Sequence, residues 1–169
     1  MYTRLSDGTE LVIRPIVASD KLMLSEGLAR LSEESRRRRF LTAKPGFTSR
    51  ELRYLTEVDG CDHYALVAQV VGDPSRIVAV GRFVRQQDDR QKAEPAIVVD
   101  DSLERRGLGK LLEQMLGEAA SCRGISRFVV TAVSDNPAVV PLLRTLNAQV
   151  QAGPREWGVS EYSLDLAAA

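Results

Sequence analysis

The sequence contains 169 residues, with 23 Lys and Arg against 23 Asp and Glu, so its formal net charge at pH 7 is zero. Hydrophobic residues make up 44% and charged residues 27%, which is typical of a single globular domain over residues 1–169. This balance argues against a nucleic-acid-binding protein, and one histidine with two cysteines excludes a zinc finger or a disulfide framework. Because no apolar run is long enough for a membrane span or a signal peptide, we expect a cytoplasmic protein without a metal site.

The first 58 residues of the chain are predicted to be mainly helical. A short β-like run comes first and is halted by Pro15, because proline cannot donate to a strand ladder. Apolar residues then recur at helical spacing behind Ser19 or Asp20, either of which is a suitable N-cap. The predicted elements are a strand over residues 10–14 and helices from Ser19 to Leu31, from Ser32 into the Arg36–Arg39 cluster, and from Ser49 to about Val58.

From residue 64 onward the chain is predicted to consist of strands and helices, with strands first. A β-hairpin with a four-residue loop at 72–75 comes first, followed by strands that are separated by helices. This order indicates an α/β (α+β) domain, a mixed sheet with helices on both faces. The predicted strands are Tyr64–Val71, Arg76–Val84, Ala93–Val99, Phe128–Ala132 and Trp157–Leu166, and the predicted helices are Gly107–Ser121 and Pro137–Leu146.

The segment between the strand that ends at Val99 and the helix from Gly107 is the most informative part of the sequence. A polar turn intervenes, and Gly107 and Gly109 open an amphipathic helix. The first turn of a helix offers unpaired N–H groups and the positive end of the helix dipole, so an anionic phosphate suits this position. A helix start with two incidental glycines is the alternative, although each glycine costs up to ~1 kcal/mol relative to alanine.

Two common phosphate-binding loops do not fit this segment. A Walker loop requires a glycine where the sequence has Glu104 and a Ser or Thr where it has Leu111. A dinucleotide fingerprint requires a third glycine where the sequence has Leu112.

A third pattern fits better, and here the sequence resembles the GNAT acetyltransferase superfamily. Its pyrophosphate loop has Val, four residues, Gln or Arg, two residues, Gly, one residue, then Gly or Ala. Val99, Gly107 and Gly109 match this spacing, while Glu104 occupies the Gln or Arg position. Further segments resemble bacterial GNAT protein-lysine acetyltransferases, namely residues 5–9, 12–16, 20, 31–35, 39–40, 55–59, 65–68, 93–94 and 134–136.

The resemblance implies a fold, a donor and a set of site residues. The implied fold is a central, mixed and mostly antiparallel sheet of about six to seven strands, flanked by helices and splayed between its fourth and fifth strands. Acetyl-CoA would lie in the gap, and Glu94 would be the general base. The implied CoA contacts are the backbone of Ile97, Val98 and Val99, the loop residues Glu104, Arg105, Arg106, Gly107, Leu108, Gly109 and Lys110, and Asn136, which a helix-capping role would explain equally well.

Two residues depart from the family pattern. Glu104 puts a carboxylate where the diphosphate would lie, so we expect weakened rather than abolished CoA affinity. Many relatives also have a tyrosine, the general acid for the departing thiolate, at the position of Leu143. Because lysine-acetylating relatives often lack this tyrosine too, its absence favours that subgroup.

Other polar residues are assigned ordinary roles. His63 has no partner at a catalytic spacing, and Cys61 has no obvious base, so a direct transfer is preferred over an acyl-enzyme. The Arg36–Arg39 cluster could guide an acidic partner or reach the 3′-phosphate of CoA. The usual meaning of such a run is a solvated helix face, balanced here by Glu33 and Glu34.

The resemblance therefore predicts an acetyl-CoA-dependent N-acetyltransferase with a protein lysine as the expected acceptor. A small-molecule amine acetyltransferase and a non-catalytic module that senses acyl-CoA are the alternatives. Either a monomer or a homodimer is compatible with the sequence.

Overall fold

The computed structural model describes residues 1–40, 44–133, 150–156 and 159–166. Its strands form one eight-stranded sheet in the order β1-β2-β3-β4-β5-β6-β8-β7. Short 3-10 turns at Ala18–Asp20 and Asp101–Leu103 precede two of the helices. The elements are β1 (Tyr2–Arg4), β2 (Glu10–Pro15), α1 (Lys21–Arg30), α2 (Glu33–Phe40), α3 (Ser49–Thr56), β3 (His63–Val70), β4 (Asp73–Arg85), β5 (Lys92–Val99), α4 (Leu108–Ser121), β6 (Arg127–Val133), β7 (Val150–Glu156) and β8 (Val159–Asp165).

Most of these elements confirm the sequence predictions, and the differences have local causes. Asp20 immediately precedes α1, but its carboxylate accepts a hydrogen bond from the Val17 N–H at 2.9 Å and pairs with Arg14 at 2.7 Å. It therefore stabilises the turn before the helix. The predicted four-residue hairpin loop is wrong, because the register shifts near Gln69 and β4 already begins at Asp73.

Two strands at the edges of the sheet were not predicted. These are the three-residue β1, which pairs with β2, and β7, which pairs with β8. The predicted last strand is confirmed as β8. The predicted helix Pro137–Leu146 lies outside the described residues.

The sheet separates two hydrophobic clusters. On one face, α1 covers a cluster that includes Leu24, Val67 and Val80. On the other face, α4 packs Leu112 and Leu116 onto β4. Helix α4 comes close to the strand because β4 has a glycine there: a Cβ at Gly81 would lie 3.0 Å from Leu116 Cδ1. This packing holds the start of α4 beside the end of β5.

The splay predicted for the family fold is present. Among the described strands, β5 and β6 are the only parallel neighbours, and their register contains only Lys92 with Arg127 and Ala93 with Phe128. The strands then part, while β5 stays paired with β4 as far as Val99. The splay lies between the fifth and sixth strands of the chain rather than the fourth and fifth, since β1 adds a strand at the edge.

Truncating the side chain that seats α4 should destabilise the whole domain. Leu112 is fully buried, and Leu112→Ala should lower the free energy of unfolding by about 2–5 kcal/mol because it leaves a cavity. Denaturant unfolding measures the loss. The control Leu22→Ala, at a side chain that is 69% exposed, should change the free energy by less than about 0.5 kcal/mol. Equal effects of the two substitutions would contradict this account of the core.

Candidate functional site

The opening between β5 and β6 leaves one edge of β5 without a strand partner in the described part of the chain. From Pro95 to Val99 the residues are half-buried and pair with β4 alone. The N–H and C=O groups on the free edge are therefore available to an extended ligand that carries amides. Ile97 and Val99 pack against the cluster below α4, and Val98 packs against the opposite cluster, so the side chains fix the strand while its edge stays open.

The loop after β5 is fixed by the carboxylate of Asp100. This carboxylate accepts hydrogen bonds from the Ser102 hydroxyl at 2.7 Å, from Arg76 Nη2 at 2.8 Å and from the Ser102 N–H at 3.1 Å. Burial alone would raise the pKa of Asp100, but these hydrogen bonds outweigh it and hold the pKa at about 2. The carboxylate is therefore ionised at neutral pH, and it anchors the chain where β5 ends.

The next residues turn the chain abruptly into α4. Arg105 has φ +58° and Gly107 has φ +89°, both in the left-handed region. A non-glycine residue held there costs of order 1–3 kcal/mol, and such strain clusters at functional sites. Because the Leu111 N–H is bonded to the Gly107 carbonyl, the preceding N–H groups of Leu108 to Lys110 have no partner within the helix.

The first turn of α4 has room above its free N–H groups. A Cβ at Gly109 would meet only Val99 Cγ2, at an ordinary contact distance of 4.0 Å. Packing within the described protein therefore does not require glycine here, and its small size leaves space for a ligand. Leu108 is buried in the core, so only its N–H can face that ligand, whereas Glu104, Arg105, Arg106 and Lys110 are exposed.

Two contacts hold this loop in place from outside. Arg106 forms an ion pair with Asp7 in the turn between β1 and β2, and hydrogen bonds from Thr9 and Arg106 lower the pKa of Asp7 to about 2. Asp101 accepts hydrogen bonds from the Ser32 N–H at 2.7 Å and from the Ser35 hydroxyl at the start of α2. The loop is therefore organised in advance of any ligand, which reduces the entropic cost of binding.

Glu94 lies where β5 parts from β6, with its side chain exposed. The register pairs it with Val84 of β4, which in turn pairs with His63 of β3. Directly paired residues share a face of the sheet, and Arg82 lies two positions from Val84 on that same face. The structure therefore places Glu94, His63 and Arg82 on the face that α1 covers.

His63 and Arg82 form a buried pair at 3.1 Å between Nε2 and Nη1. Because a guanidinium only donates, the His63 Nε2 accepts this hydrogen bond and the imidazole is neutral. Burial and the charge of Arg82 lower the pKa of His63 to about 4, against an opposing effect of Asp59. A structural role for His63 is consistent with this geometry.

Sequence reasoning did not single out Arg82. The available signal was a lone arginine inside the apolar run of β4, since such a residue must find buried partners. Its partner is the only histidine of the chain. This pairing can be predicted only when the register between β3 and β4 is known.

Asn136 and Leu143 lie outside the described residues. Cys61 and Cys122 are free, exposed thiols. No group of three metal-ligating side chains is found within residues 1–40, 44–133, 150–156 and 159–166. In the same ranges, no helix has the length and apolar character needed to cross a membrane.

Comparison with known proteins gives a consistent result. Residues 29–147 match the acetyltransferase (GNAT) family. The chain is 32% identical over 141 residues to Acetyltransferase Pat of Mycolicibacterium smegmatis. The aligned region covers 83% of this chain and 42% of that protein. The chain thus spans less than half the length of this relative.

Solved structures share the fold. The GNAT domain of S. lividans PAT is similar with a TM-score of 0.89 at 24% identity, over 98% of this chain and 96% of that one. A cAMP-binding acyltransferase from Mycobacterium smegmatis is similar with a TM-score of 0.68 at 27% identity, and the match covers 99% of this chain and 47% of that one. The Salmonella typhimurium protein yncA was solved with its cofactor acetyl-CoA. It is similar with a TM-score of 0.72 at 18% identity, and the match covers 93% of this chain and 94% of that one.

The single histidine makes the buried pair directly observable. We expect the His63 ring proton to titrate by NMR near pH 4 rather than near the ordinary 6.5. Because the folded pKa is depressed, the unfolded state binds the proton first, so stability present at pH 7 is lost as the pH falls from 6.5 to 4. This loss should be about 2–3 kcal/mol more for the wild type than for His63→Gln, which keeps a neutral acceptor for Arg82. A titration near pH 6.5 would contradict the burial of this pair.

Proposed function

This chain belongs to the acetyltransferase (GNAT) family, and from that premise we propose that it transfers an acetyl group from acetyl-CoA directly to an amine, with a protein lysine as acceptor. One observation carries the proposal: the open edge of β5 leads straight into a loop whose N–H groups are free. An extended chain of amides that ends in a diphosphate fits this sequence of sites, and CoA has that form.

The donor would bind mainly through backbone groups. The pantetheine amides would pair with the free edge of β5 at Ile97 to Val99, and the diphosphate would accept hydrogen bonds from the N–H groups of Leu108 to Lys110. The exposed side chains of Arg105, Arg106 and Lys110 would supply positive charge beside the phosphates. Asn136 stays a predicted contact to the CoA arm.

The acceptor must be deprotonated before it reacts. A lysine ammonium has a pKa of about 10.4 and cannot attack a thioester, so a base has to take one proton. Glu94 is the proposed base: it is exposed at the point where the two strands part. The amine nitrogen then bonds to the thioester carbon, and a backbone N–H of β5 stabilises the oxyanion. When the carbon–sulfur bond breaks, the thiolate leaves with the electron pair and takes up the second proton, which the nitrogen loses as it becomes an amide.

A protein lysine is proposed as the acceptor for two reasons. The sequence resembles bacterial protein-lysine acetyltransferases over most of its length, and Glu94 is exposed rather than enclosed in the described part of the chain. A long flexible side chain could reach it from outside. The proposed location is the cytoplasm, where acetyl-CoA and protein acceptors meet.

Removing the proposed base should lower turnover strongly without weakening donor binding. Glu94→Gln should lower kcat by about 10²- to 10⁴-fold, because that is the usual contribution of a general base. The Kd for acetyl-CoA, measured by calorimetry, should stay within about twofold. The control Glu118→Gln, at an exposed glutamate of α4, should change neither quantity.

The same assay separates the alternatives. Release of CoA with a lysine peptide supports a protein acceptor. Release of CoA only with small amines would instead identify a metabolite as the acceptor. Binding of acetyl-CoA without release by the wild-type protein would favour a sensing module. Retained turnover in Glu94→Gln would assign the base to another residue.

The carboxylate at position 104 should weaken donor binding. Glu104→Gln removes a negative charge near the proposed diphosphate, so the Kd for CoA should fall about fivefold, corresponding to about 1 kcal/mol. This gain should shrink in 0.5 M salt because exposed charges are screened. Calorimetry at two salt concentrations measures both effects. An unchanged Kd at low salt would show that the Glu104 side chain points away from the phosphates.

A further inference from the structure

Glu113 of α4 is a buried acidic side chain to which the proposed transfer assigns no role. It is only 4% exposed. Within the described residues, its Oε2 atom is buried and has no hydrogen-bond partner. A buried polar atom without a partner destabilises a folded protein, so folded proteins contain few of them. A ligand that brings a hydrogen-bonding group to this position would supply the missing partner.

Helical geometry places Glu113 in one row with two glycines. Gly109, Glu113 and Gly117 follow each other at four-residue intervals, so they lie on the same face of α4. A Cβ at Gly109 would meet Val99 Cγ2, at the end of β5. A Cβ at Gly117 would lie 3.6 Å from Cδ2 of Leu166, the residue that follows β8. The row therefore begins beside β5 and ends beside the last residue before the described chain stops.

This row of α4 lies along the gap between β5 and β6. The Leu166 N–H donates to the Ser126 carbonyl at 2.8 Å, immediately before β6 begins. Leu116, on the neighbouring face of α4, packs against Gly81 of β4. The row with Glu113 is thus turned away from β4, toward β5 and the strands beyond the gap. Glu113 lies between the two ends of the row, next to the space proposed for the donor arm.

The position of Glu113 along the helix matches the order of groups in CoA. Glu113 follows Gly109 by four residues, which is about 6 Å along the axis of α4 from the proposed diphosphate site. In CoA, a short branched link joins the diphosphate to a hydroxyl and then to an amide. These are the first hydrogen-bonding groups of the pantetheine arm. A polar side chain one turn into the helix is therefore well placed to contact them.

The carboxyl of Glu113 suits this position in its protonated form. An ionised carboxylate would repel a diphosphate one turn away. Burial raises the pKa of Glu113 to about 7, and a bound diphosphate would favour the protonated form further. A neutral carboxyl has one O–H donor and a carbonyl acceptor, so it can both donate and accept a hydrogen bond.

We propose that Glu113 is a binding residue for the donor arm, whose buried carboxyl forms hydrogen bonds with the hydroxyl and the first amide of pantetheine. This rests on the proposed function, because it takes CoA to lie along β5. The backbone of β5 and the first turn of α4 bind amides and phosphates of any suitable ligand. Glu113 adds specificity, because it favours a donor with a pantetheine arm over a nucleotide that ends at the diphosphate.

Calorimetry with two ligands tests the proposal. CoA carries the arm, whereas 3′-phospho-ADP ends at the diphosphate, and at about pH 6 the carboxyl is protonated. Glu113→Met replaces the carboxyl with an apolar group of similar length. It should raise the Kd for CoA about tenfold and leave the Kd for 3′-phospho-ADP within about twofold. The Tm of the free protein should stay the same or rise, because an unpartnered buried carboxyl is removed.

Two matched variants serve as controls. Glu113→Gln keeps a neutral donor and acceptor at the same position, so its Kd for CoA should stay within about threefold of the wild-type value. Gln114→Met places the same apolar side chain at the exposed neighbour of Glu113 on α4. It should change neither the two Kd values nor the Tm.

The proposal fails on any of three results. The first is an unchanged Kd for CoA in Glu113→Met. The second is an equal loss of affinity for CoA and 3′-phospho-ADP, which would place the effect in the diphosphate loop rather than at the arm. The third is a lower Tm in Glu113→Met, which would give the carboxyl a structural partner. A wild-type protein that binds no CoA would refute the proposed function instead.

Discussion

The parting of β5 from β6 after Ala93 is the constraint on which the rest of the structure depends. At the base of the gap the two strands are joined by a buried core, in which the Phe83 and Phe128 rings lie 6.0 Å apart. Beyond it, β5 is held by β4 from one side and by side chains above and below. A strand supported in this way can keep one edge open without losing its position. In an ordinary sheet that edge would be filled by the next strand.

The same arrangement ties the donor side to the acceptor side. The loop after β5 is anchored through Asp100 to Arg76, and through Asp101 to the start of α2. Helix α2 in turn contacts β5, the strand that contains Glu94. The residues that would hold the diphosphate and those that would receive the amine are thus linked by one short helix.

The sequence allowed the main elements to be predicted, because amphipathic periodicity and turn residues report local structure. Helix α4 and strand β5 were found within one or two residues for this reason. Contacts that depend on strand register could not be predicted. Arg82 meets His63 only because β3 and β4 are aligned as they are, and a shift of one residue would put the two side chains on opposite faces. The hairpin loop failed for a similar reason, since a bulge near Gln69 changed the pairing.

The candidate site residues also divide into those that the sequence predicts and those that depend on the folded backbone or on packing. The glycines at 107 and 109 were found from spacing, and the left-handed φ of Gly107 agrees with the need for glycine there. The left-handed Arg105 was not foreseen, because an arginine carries no signal for positive φ. The four consecutive arginines look alike in sequence, although Arg37 is exposed and Arg39 is half-buried. Only packing distinguishes them.

A crystal structure of the protein with CoA tests the central claim most directly. The account predicts diphosphate oxygens about 2.7–3.2 Å from the N–H groups at the start of α4, and pantetheine amides paired with the free edge of β5. Coenzyme bound at another surface, or a β5 edge occupied by protein while the loop stays empty, would contradict it.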